Sequence, residues 1–454
     1  MKIYDVVVVG AGDVGLGIAF KAASQDLKVA LIDKGKVGGT CLNYGCVPSK
    51  TLIYTADRVV EIREASKLGI RTERIDIDFP AIMARMRNTV TRGREGIRRA
   101  IGESENLDFI EGEGTFIGGR TLTVGDQKIK GKKIFIASGA SPSIPPVKGL
   151  DKIPFLTNEN VLDLEKKPES LIIIGGGYVG LEYAHFFARM GTQVTMIHRH
   201  SNFLPFEEPE ISELLKKTLA TYAGLVLEVQ ITEVKPTGSG VTALVKNIRT
   251  GQEKEVIAER LFVAAGRKSN AGLLKTEKAG IETDQNHFIK VDDTLRTNQK
   301  HIWAVGDCIG RAMFTHAGDK EAELAWHNAT HRKKIRMDFA FVPHAVFTHP
   351  QIASVGLTEE QARKDHEILV GRANYSDTVM GEAMMEEEGF AKAVVEKGTG
   401  RILGFHIIGP QAAMLIQEVV NPVINRQDLK SITDCMHIFP ALSNLIPEVL
   451  GNLE

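Results

Sequence analysis

The feature that most constrains this chain of 454 residues is a strand, glycine turn, helix and strand unit that occurs twice. The first copy places these four parts at residues 3–9, 10–15, 16–24 and 28–33. The second copy places them at residues 171–174, 175–180, 181–190 and 193–197. Units of this kind build parallel sheets covered by helices on both faces. We therefore predict an α/β fold with two Rossmann-like dinucleotide-binding domains, each of three layers.

Both turns carry the spacing Gly-x-Gly-x-x-Gly, which suits a pyrophosphate held at a helix N-terminus. The motif residues are Gly10, Gly12 and Gly15 in the first turn, and Gly175, Gly177, Tyr178, Val179 and Gly180 in the second. Asp33 lies 21 positions after Gly12, at the end of the following strand, where a carboxylate can bind a ribose hydroxyl. The alternative is a structural glycine turn followed by a surface aspartate.

The second unit ends differently from the first. The position of the ribose-binding acid is taken by His198, and Arg199 and His200 follow it. A carboxylate would repel a 2′-phosphate, whereas a guanidinium can bind one with two hydrogen bonds. We therefore predict NADPH rather than NADH at this site, with a solvated basic turn as the alternative.

A glycine-bounded segment at 38–50 contains two of the four cysteines, Cys41 and Cys46. A disulfide between residues five positions apart closes a very short loop, gains little from chain entropy and is easily reduced. Such a bond suits catalysis better than structure. The alternatives are a metal pair or two unconnected buried thiols. We predict no metal site, because two further ligands at suitable spacing are missing nearby.

Composition limits the possible partners of the chain. Lys plus Arg is 56 and Asp plus Glu is 57, a net charge of −1, which gives no reason to expect nucleic acid or a membrane surface as partner. No apolar run approaches the ~20 residues that span a bilayer. The chain begins directly with a strand-like run, and we expect it to be cytoplasmic. Four cysteines do not make a disulfide scaffold.

With these motifs the sequence resembles the flavin-dependent pyridine nucleotide–disulfide oxidoreductases, which include dihydrolipoamide dehydrogenase, glutathione reductase, mercuric reductase and mycothione reductase. The resemblance covers essentially the whole chain, and the third region is most similar to mycothione reductase. The segments that carry it beyond 38–50 are 136–139, 264–267, 297–307, 346–358, 400–404 and 439–442. It implies a discontinuous FAD-binding domain at 1–147 and 268–337. It further implies an NAD(P)-binding domain at 148–267 and a C-terminal α+β dimerisation domain at 338–454.

The resemblance also implies roles for single residues. Cys46 would be the thiol next to the flavin, and Cys41 the interchange thiol that attacks the substrate. Lys50 would lie near the flavin ring and pair with Glu182. The other implied FAD-binding residues are Thr40, Gly114, Ser138, Gly139, Gly306 and Asp307, and Gly266 would join the NADP site.

The C-terminal region departs from the family. Disulfide reductases carry a His-Pro pair and a later Glu that together activate the interchange thiol across a dimer interface. Here Phe439 precedes Pro440, and Asn444 takes the Glu position. Either His437 is a relocated base, or Cys435 is an additional thiol, or the acceptor needs no acid–base group. Mercuric reductase also lacks that His but uses a C-terminal Cys pair that this sequence does not have. Cys308, beside Asp307, has no role that we can argue.

The main hypothesis is an FAD-dependent NAD(P)H:disulfide oxidoreductase, a homodimer that uses the Cys41–Cys46 disulfide to reduce a small-molecule disulfide. The second is dihydrolipoamide dehydrogenase chemistry with NAD, against which His198 and Arg199 argue. The third is a mercuric-reductase-like NADPH reductase of metal ions, quinones or oxygen, since Phe439 replaces the acid–base His. A fourth, a non-catalytic flavin-binding redox sensor, is disfavoured by the cysteines together with Lys50 and Glu182.

Overall fold

A computed structural model describes residues 1–238 and 240–454. Its N-terminal part holds seven strands and four helices. The strands are β1 (Lys2–Val9), β2 (Val29–Asp33), β3 (Leu107–Glu111), β4 (Gly114–Gly118), β5 (Thr121–Val124), β6 (Gln127–Ile136) and β7 (Ala140–Pro142). The helices are α1 (Asp13–Ala23), α2 (Gly39–Tyr44), α3 (Cys46–Glu64) and α4 (Phe79–Gly102).

The middle part has eight described strands, four of which form a parallel sheet. Its strands are β8 (Ser170–Ile174), β9 (Gln193–Ile197), β10 (Gly224–Val226), β11 (Val229–Thr237), β12 (Gly240–Asn247), β13 (Glu253–Ala258), β14 (Arg260–Val263) and β15 (Arg267–Ser269). Its helices are α5 (Tyr178–Arg189) and α6 (Pro209–Leu219). The chain then adds β16 (Ile302–Ala304) and α7 (Thr315–Thr330).

The C-terminal part is built on one antiparallel sheet. Its strands are β17 (His344–Val346), β18 (Gln351–Gly356), β19 (Ile368–Asn374), β20 (Phe390–Glu396) and β21 (Ile402–Gly409). Its helices are α8 (Glu359–Ala362), α9 (Val379–Ala383), α10 (Ala412–Ile424), α11 (Lys430–Thr433) and α12 (Leu445–Gly451). The strand order is β17-β18-β21-β20-β19.

The first sheet returns to itself after the chain has left it. Its order is β3-β2-β1-β6-β5-β4, and β16 pairs with β6 in parallel although more than 160 residues lie between them in the sequence. The ribbon of β7 and β15 lies where the chain leaves this sheet and comes back. The second sheet, β10-β9-β8-β14, is wholly parallel. β1 and β8 are central in their sheets, and their apolar runs are buried on both faces.

Both helices after the glycine turns begin three residues earlier than the sequence pattern predicts, at Asp13 and Tyr178. The reason is that the third glycine of each motif lies inside the first helical turn. A Cβ at Gly15 would lie 1.9 Å from the carbonyl oxygen of Gly10, and one at Gly180 would lie 2.4 Å from that of Gly175. These two glycines therefore pack the helix on the strand. Within the described residues, no helix combines the length and the apolar character that crossing a membrane requires.

Candidate active site

One cavity of about 2320 Å³ joins the two glycine turns. This is more than the roughly 300–1,000 Å³ of a pocket for one small ligand, as two extended cofactors would need. The predicted residues that line it are Gly10, Gly12, Asp33, Thr40, Cys41, Cys46, Lys50, Gly114, Ser138, Gly139, Gly175, Gly177, Tyr178, Val179, Glu182, His198, Arg199, Gly266, Gly306 and Asp307. Gly15 and Gly180 lie behind the turns.

The first turn is shaped for a close ligand. Gly10 has φ +113°, and a Cβ there would lie 2.1 Å from the carbonyl oxygen of Ala137. Asp33 closes the turn from the neighbouring strand: its carboxylate accepts the backbone N–H of Ala11 at 2.5 Å and that of Gly35 at 2.6 Å. The backbone of the turn therefore faces the cavity without side chains in the way, as a bound pyrophosphate and ribose require. The residues present fit FAD.

The two cysteines of the redox pair line the same cavity. Cys41 is in α2, and Cys46 is the first residue of α3. Both are free thiols in the structure. The Cys41 thiol donates a hydrogen bond that lowers the pKa of Cys46 to about 6, assisted by Thr315 and by the charge of Lys50. The same bond, together with burial, raises the pKa of Cys41. The two sulfurs therefore differ: Cys46 is a thiolate near neutral pH and Cys41 keeps its proton.

Lys50 and Glu182 form an ion pair beside Cys46. The Nζ of Lys50 lies 2.8 Å from Oε1 and 2.7 Å from Oε2 of Glu182. Only 7% of the Glu182 side chain is exposed. The backbone N–H of Phe347 donates to Glu182 at 3.3 Å, and the Lys50 ammonium lies 4.5 Å from the centre of the Phe347 ring. The pair predicted from the sequence is thus formed, and a residue of the C-terminal part supports it.

Two carboxyl groups lie at the Gly306 segment: Asp307 lines the cavity, whereas Glu321 bonds to the backbone of Gly306 without lining it. The Asp307 carboxylate lies 3.3 Å from Nη2 of Arg267, and burial raises its pKa. Glu321 is fully buried and accepts the backbone N–H of Gly306 at 2.5 Å. Burial raises the pKa of Glu321 to about 7. Cys308 is also fully buried, and its thiol donates to backbone carbonyls. The structure supports a packing role for Cys308.

At the second turn the positive charge comes from Arg199. Burial, together with the neighbouring His200 and Arg199, lowers the pKa of His198 to about 4, so His198 is neutral at pH 7. Arg199 is exposed, and its Nε–H donates to the Nε2 of His200 at 3.0 Å. Of the two residues predicted to favour NADPH, only Arg199 is a cation.

The C-terminal residues lie away from the thiols within one chain. In the described part of the chain, no residue beyond Arg426 lines the cavity. His437 is mostly buried, with Nε2 at 3.2 Å from the carbonyl oxygen of Ile432 and Nδ1 at 3.7 Å from Glu418. Phe439 is 73% exposed. The structure therefore does not bring His437 to Cys41 in the same chain, and its role as a base stays a prediction. The thiol of Cys435 donates to the carbonyl of Ser431.

Sequence reasoning missed Thr315, Phe347 and Glu321. Thr315 begins α7, with Oγ1 at 3.5 Å from Sγ of Cys46, 269 positions away. No spacing in the sequence marks these residues, because each comes to the site from an element distant in the chain. Among the described residues, no three His, Cys, Asp or Glu side chains are grouped as metal ligands.

A dithiol with one ionised sulfur, next to a partly buried Lys–Glu pair and between two dinucleotide turns, defines a nucleotide-dependent redox enzyme. The family model described as pyridine nucleotide-disulphide oxidoreductase matches residues 4–325. The dimerisation domain of the same family matches residues 342–450. The chain belongs to the pyridine nucleotide–disulphide oxidoreductase family, and both the predicted α/β fold and the resemblance are confirmed.

Known relatives in this family differ in the substrate named for them. The chain is 33% identical over 472 residues to dihydrolipoyl dehydrogenase of Synechocystis sp., covering 98% of each protein. It is 32% identical over 414 residues to mercuric reductase of Lysinibacillus sphaericus, covering 91% of this chain and 76% of that protein. Among solved structures, the HOCl-induced flavoprotein disulfide reductase RclA from Escherichia coli matches with a TM-score of 0.88 at 28% identity, covering 99% of both chains. A Cu(II) complex of RclA matches with a TM-score of 0.89.

Membership of this family confirms the predicted enzyme class, the predicted types of cofactor and the predicted homodimer. The protein is an enzyme that uses FAD and a pyridine nucleotide and acts on sulfur groups. The dimerisation domain supports a homodimer.

Proposed function

We propose that this protein is an NADPH-dependent reductase that passes electrons through Cys41 and Cys46 to a small-molecule disulfide. The observation that carries the proposal is the placement of the thiol pair: Cys41 and Cys46 both line the cavity between the two glycine turns, beside the Lys50–Glu182 pair, and Cys46 is the sulfur favoured as thiolate. FAD, when bound, supplies the hydride acceptor that links a two-electron nicotinamide to a pair of thiols.

Each residue of the centre has a distinct part in this proposal. Lys50 holds positive charge beside Cys46 and favours its thiolate, and Glu182 fixes the Lys50 ammonium. Thr315 donates a hydrogen bond to the same thiolate. Cys41 attacks the substrate disulfide after losing its proton, which forms a mixed disulfide and releases one thiolate product. Cys46 then attacks Cys41, releases the second product and restores the Cys41–Cys46 disulfide, so that two electrons leave the protein.

The proton of Cys41 is the point at which this site differs from its family. In the described chain, the titratable groups that act most strongly on Cys41 are Cys46 and Asp13, and Cys46 is the one that is bonded to it. A base typically contributes about 10²–10⁴-fold in rate. In the proposed homodimer, the partner copy would present the exposed Phe439 at the position where disulfide reductases of the family carry His. His437 is the histidine nearest to that position in the sequence.

A second candidate function follows from the absence of the family's acid–base His at position 439. Reduction of a metal ion, a quinone or oxygen needs no protonated thiol leaving group, and the curated relatives include mercuric reductase. RclA is also described as a Cu(II) complex. The dihydrolipoamide dehydrogenase direction with NAD is the weaker alternative, because Arg199 favours a 2′-phosphate at the second turn.

The domain boundaries of 147, 267 and 337 are part of the proposal, and so is a cytoplasmic setting. The ribbon of β7 and β15 and the return of β16 to the first sheet support a discontinuous FAD domain. Reduced nicotinamide and an easily reduced disulfide both belong to a reducing compartment.

The test is oxidation of NADPH and NADH by purified holoenzyme with a panel of acceptors: lipoamide, glutathione-type and mycothiol-type disulfides, Cu²⁺, Hg²⁺, a quinone and oxygen. Cys46→Ser should abolish turnover. Cys435→Ser should leave turnover unchanged, and a loss in this variant would favour the alternative in which Cys435 is an additional thiol. Fast turnover of one disulfide supports the main proposal. Turnover of only metal ions, quinone or oxygen refutes it in favour of the second candidate.

A further inference from the structure

Four aromatic rings form a cluster in the wall of the cavity near the second glycine turn. These rings, the aromatic cluster, belong to Tyr178, Phe206, Phe314 and His344. The ring of Tyr178 stacks on Phe206 at 5.5 Å and meets Phe314 edge-on at 5.4 Å. The ring of His344 stacks on Phe314 at 6.0 Å with an interplanar angle of 10°. These separations lie within the range at which aromatic pairs attract.

The aromatic cluster connects the second glycine turn with the redox pair. Tyr178 is the first residue of α5, and Glu182 lies on the same helix face one turn later. Phe314 directly precedes Thr315, whose hydroxyl contacts Cys46. A nicotinamide that reaches the Lys50–Glu182 pair from the second turn must therefore pass this cluster.

His344 is fixed from behind by a buried carboxylate. Its Nε2 lies 2.6 Å from Oε1 of Glu207, whose side chain is fully buried. The hydroxyl of Ser354 donates to the other oxygen of Glu207 at 2.6 Å. Burial alone would raise the pKa of Glu207, but the bonds from His344 and Ser354 hold it below its ordinary value. A short hydrogen bond to this buried carboxylate restricts the imidazole to one orientation.

The segment that begins with His344 also reaches the flavin side of the site. His344 is the first residue of β17, and Phe347 follows directly after this strand. Phe347 is the residue that contacts both Lys50 and Glu182. A four-residue segment of the C-terminal part thus contacts the aromatic cluster at one end and the ion pair at the other.

We propose that His344 is a positioning residue for the nicotinamide half-reaction. Held by Glu207, its ring supports Phe314 and Tyr178 and so keeps open the path by which NAD(P)H approaches the flavin. His344 acts through these rings, and the imidazole takes no part in the proton steps. The proposal rests on the family-level transfer of hydride from nicotinamide to FAD and does not depend on the acceptor.

The test measures the two half-reactions of the holoenzyme separately. Every protein in the test, the parent included, carries the substitution Cys435→Ser. Stopped-flow mixing with the nicotinamide that reduces the parent enzyme faster gives the rate constant and apparent Kd of flavin reduction. Reoxidation of the dithionite-reduced enzyme by 5,5′-dithiobis(2-nitrobenzoate) reports on the thiols. His344→Gln keeps a hydrogen bond to Glu207 and removes the ring. The double variant His344→Phe with Glu207→Gln keeps a ring and leaves no buried charge unpaired.

We expect His344→Gln to weaken nicotinamide binding or slow flavin reduction by about three- to tenfold, the size of a lost aromatic pair. Its reoxidation rate should change less than twofold. The double variant should recover most of the loss. His366→Gln is the matched control, because His366 also pairs with a glutamate, with Nδ1 at 2.7 Å from Glu396, and does not line the cavity.

Three results would overturn the proposal. One is an equal loss in both half-reactions, which indicates a general structural role. Another is an unaltered flavin reduction in His344→Gln. The third is a double variant that is as slow as His344→Gln, which would mean that the ring does not matter. A failure of the acceptor proposed above would leave the flavin-reduction result readable, since that step precedes the acceptor.

Discussion

Replacing Cys41 by alanine tests the charge distribution on which the proposed chemistry depends. The largest cause of the low pKa of Cys46, about 6, is the hydrogen bond that it accepts from Cys41. A thiol with this pKa is about 90% ionised at pH 7, whereas one at the ordinary value of about 8.5 is about 3% ionised. Without the donor, burial of Cys46 opposes ionisation, and only Thr315 and Lys50 still favour it. We expect the pKa of Cys46 to rise above about 8 in Cys41→Ala.

The assay is alkylation of Cys46 by iodoacetamide from pH 4 to 10, followed by mass spectrometry of the peptide that contains this residue. The parent protein is first reduced, so that both thiols are free. At pH 7 the rate in Cys41→Ala should fall by up to about 30-fold, which is the ratio of the two thiolate fractions. Cys41→Ser keeps a hydroxyl donor and should give an intermediate pKa.

Cys435→Ser is the control for this experiment, since this thiol bonds only to the backbone of its own segment and should not affect Cys46. A pKa of Cys46 that stays near 6 in Cys41→Ala would refute the reasoning. The thiolate would then owe its stability to Lys50 and Thr315, and the sulfurs would be independent of each other.

The remaining predictions concern charge at three other places. Arg199→Ala should raise the KM for NADPH by about tenfold, because it removes one charged hydrogen bond to the cofactor. The kcat/KM for NADH should stay within about twofold. Equal losses with both cofactors in steady-state assays would contradict this prediction. Lys50→Met should lower the thermal stability by about 1–3 kcal/mol, more than the double variant with Glu182→Leu, because the single change leaves a buried carboxylate unpaired; equal melting temperatures would count against it. Glu321 keeps its proton in the folded state up to about pH 7, so its contribution to stability is present below about pH 4.5 and is lost as the pH rises toward 7. Glu321→Gln should therefore gain up to about 3 kcal/mol relative to the parent between pH 4.5 and 8, measured by melting of both proteins across this range, and a constant difference would contradict the buried proton.

The sequence could predict the parts of the site that lie within short segments. The glycine turns, Asp33 and the two cysteines follow from local rules, because backbone conformation and disulfide loop length depend on residues close together in the chain. The α/β fold followed from the repeated unit for the same reason. The helices after the turns begin earlier than the apolar pattern indicates, since Gly15 and Gly180 carry no side chain that could enter a hydrophobic pattern.

The Lys50–Glu182 pair required more than local rules. The two residues are 132 positions apart, and no spacing relates them. They were predicted because the whole chain resembles a known family, and the structure shows the physical cause: α3 and α5 lie against each other beside the cavity. The same resemblance pointed to the missing His–Glu pair at Phe439 and Asn444, which a local pattern would not have marked.

Only the tertiary structure decided how charge is arranged around the thiols. Thr315, Phe347 and His344 reach the site from α7 and from the segment around β17, more than 260 positions after Cys46. Which cysteine is ionised, and whether His198 carries a charge, depends on burial and on neighbouring dipoles, and these exist only once the elements have packed. The sequence by itself determined which groups the protein possesses. Packing determined their ionisation, because the free energy of a charge is set by the surroundings that the fold places around it.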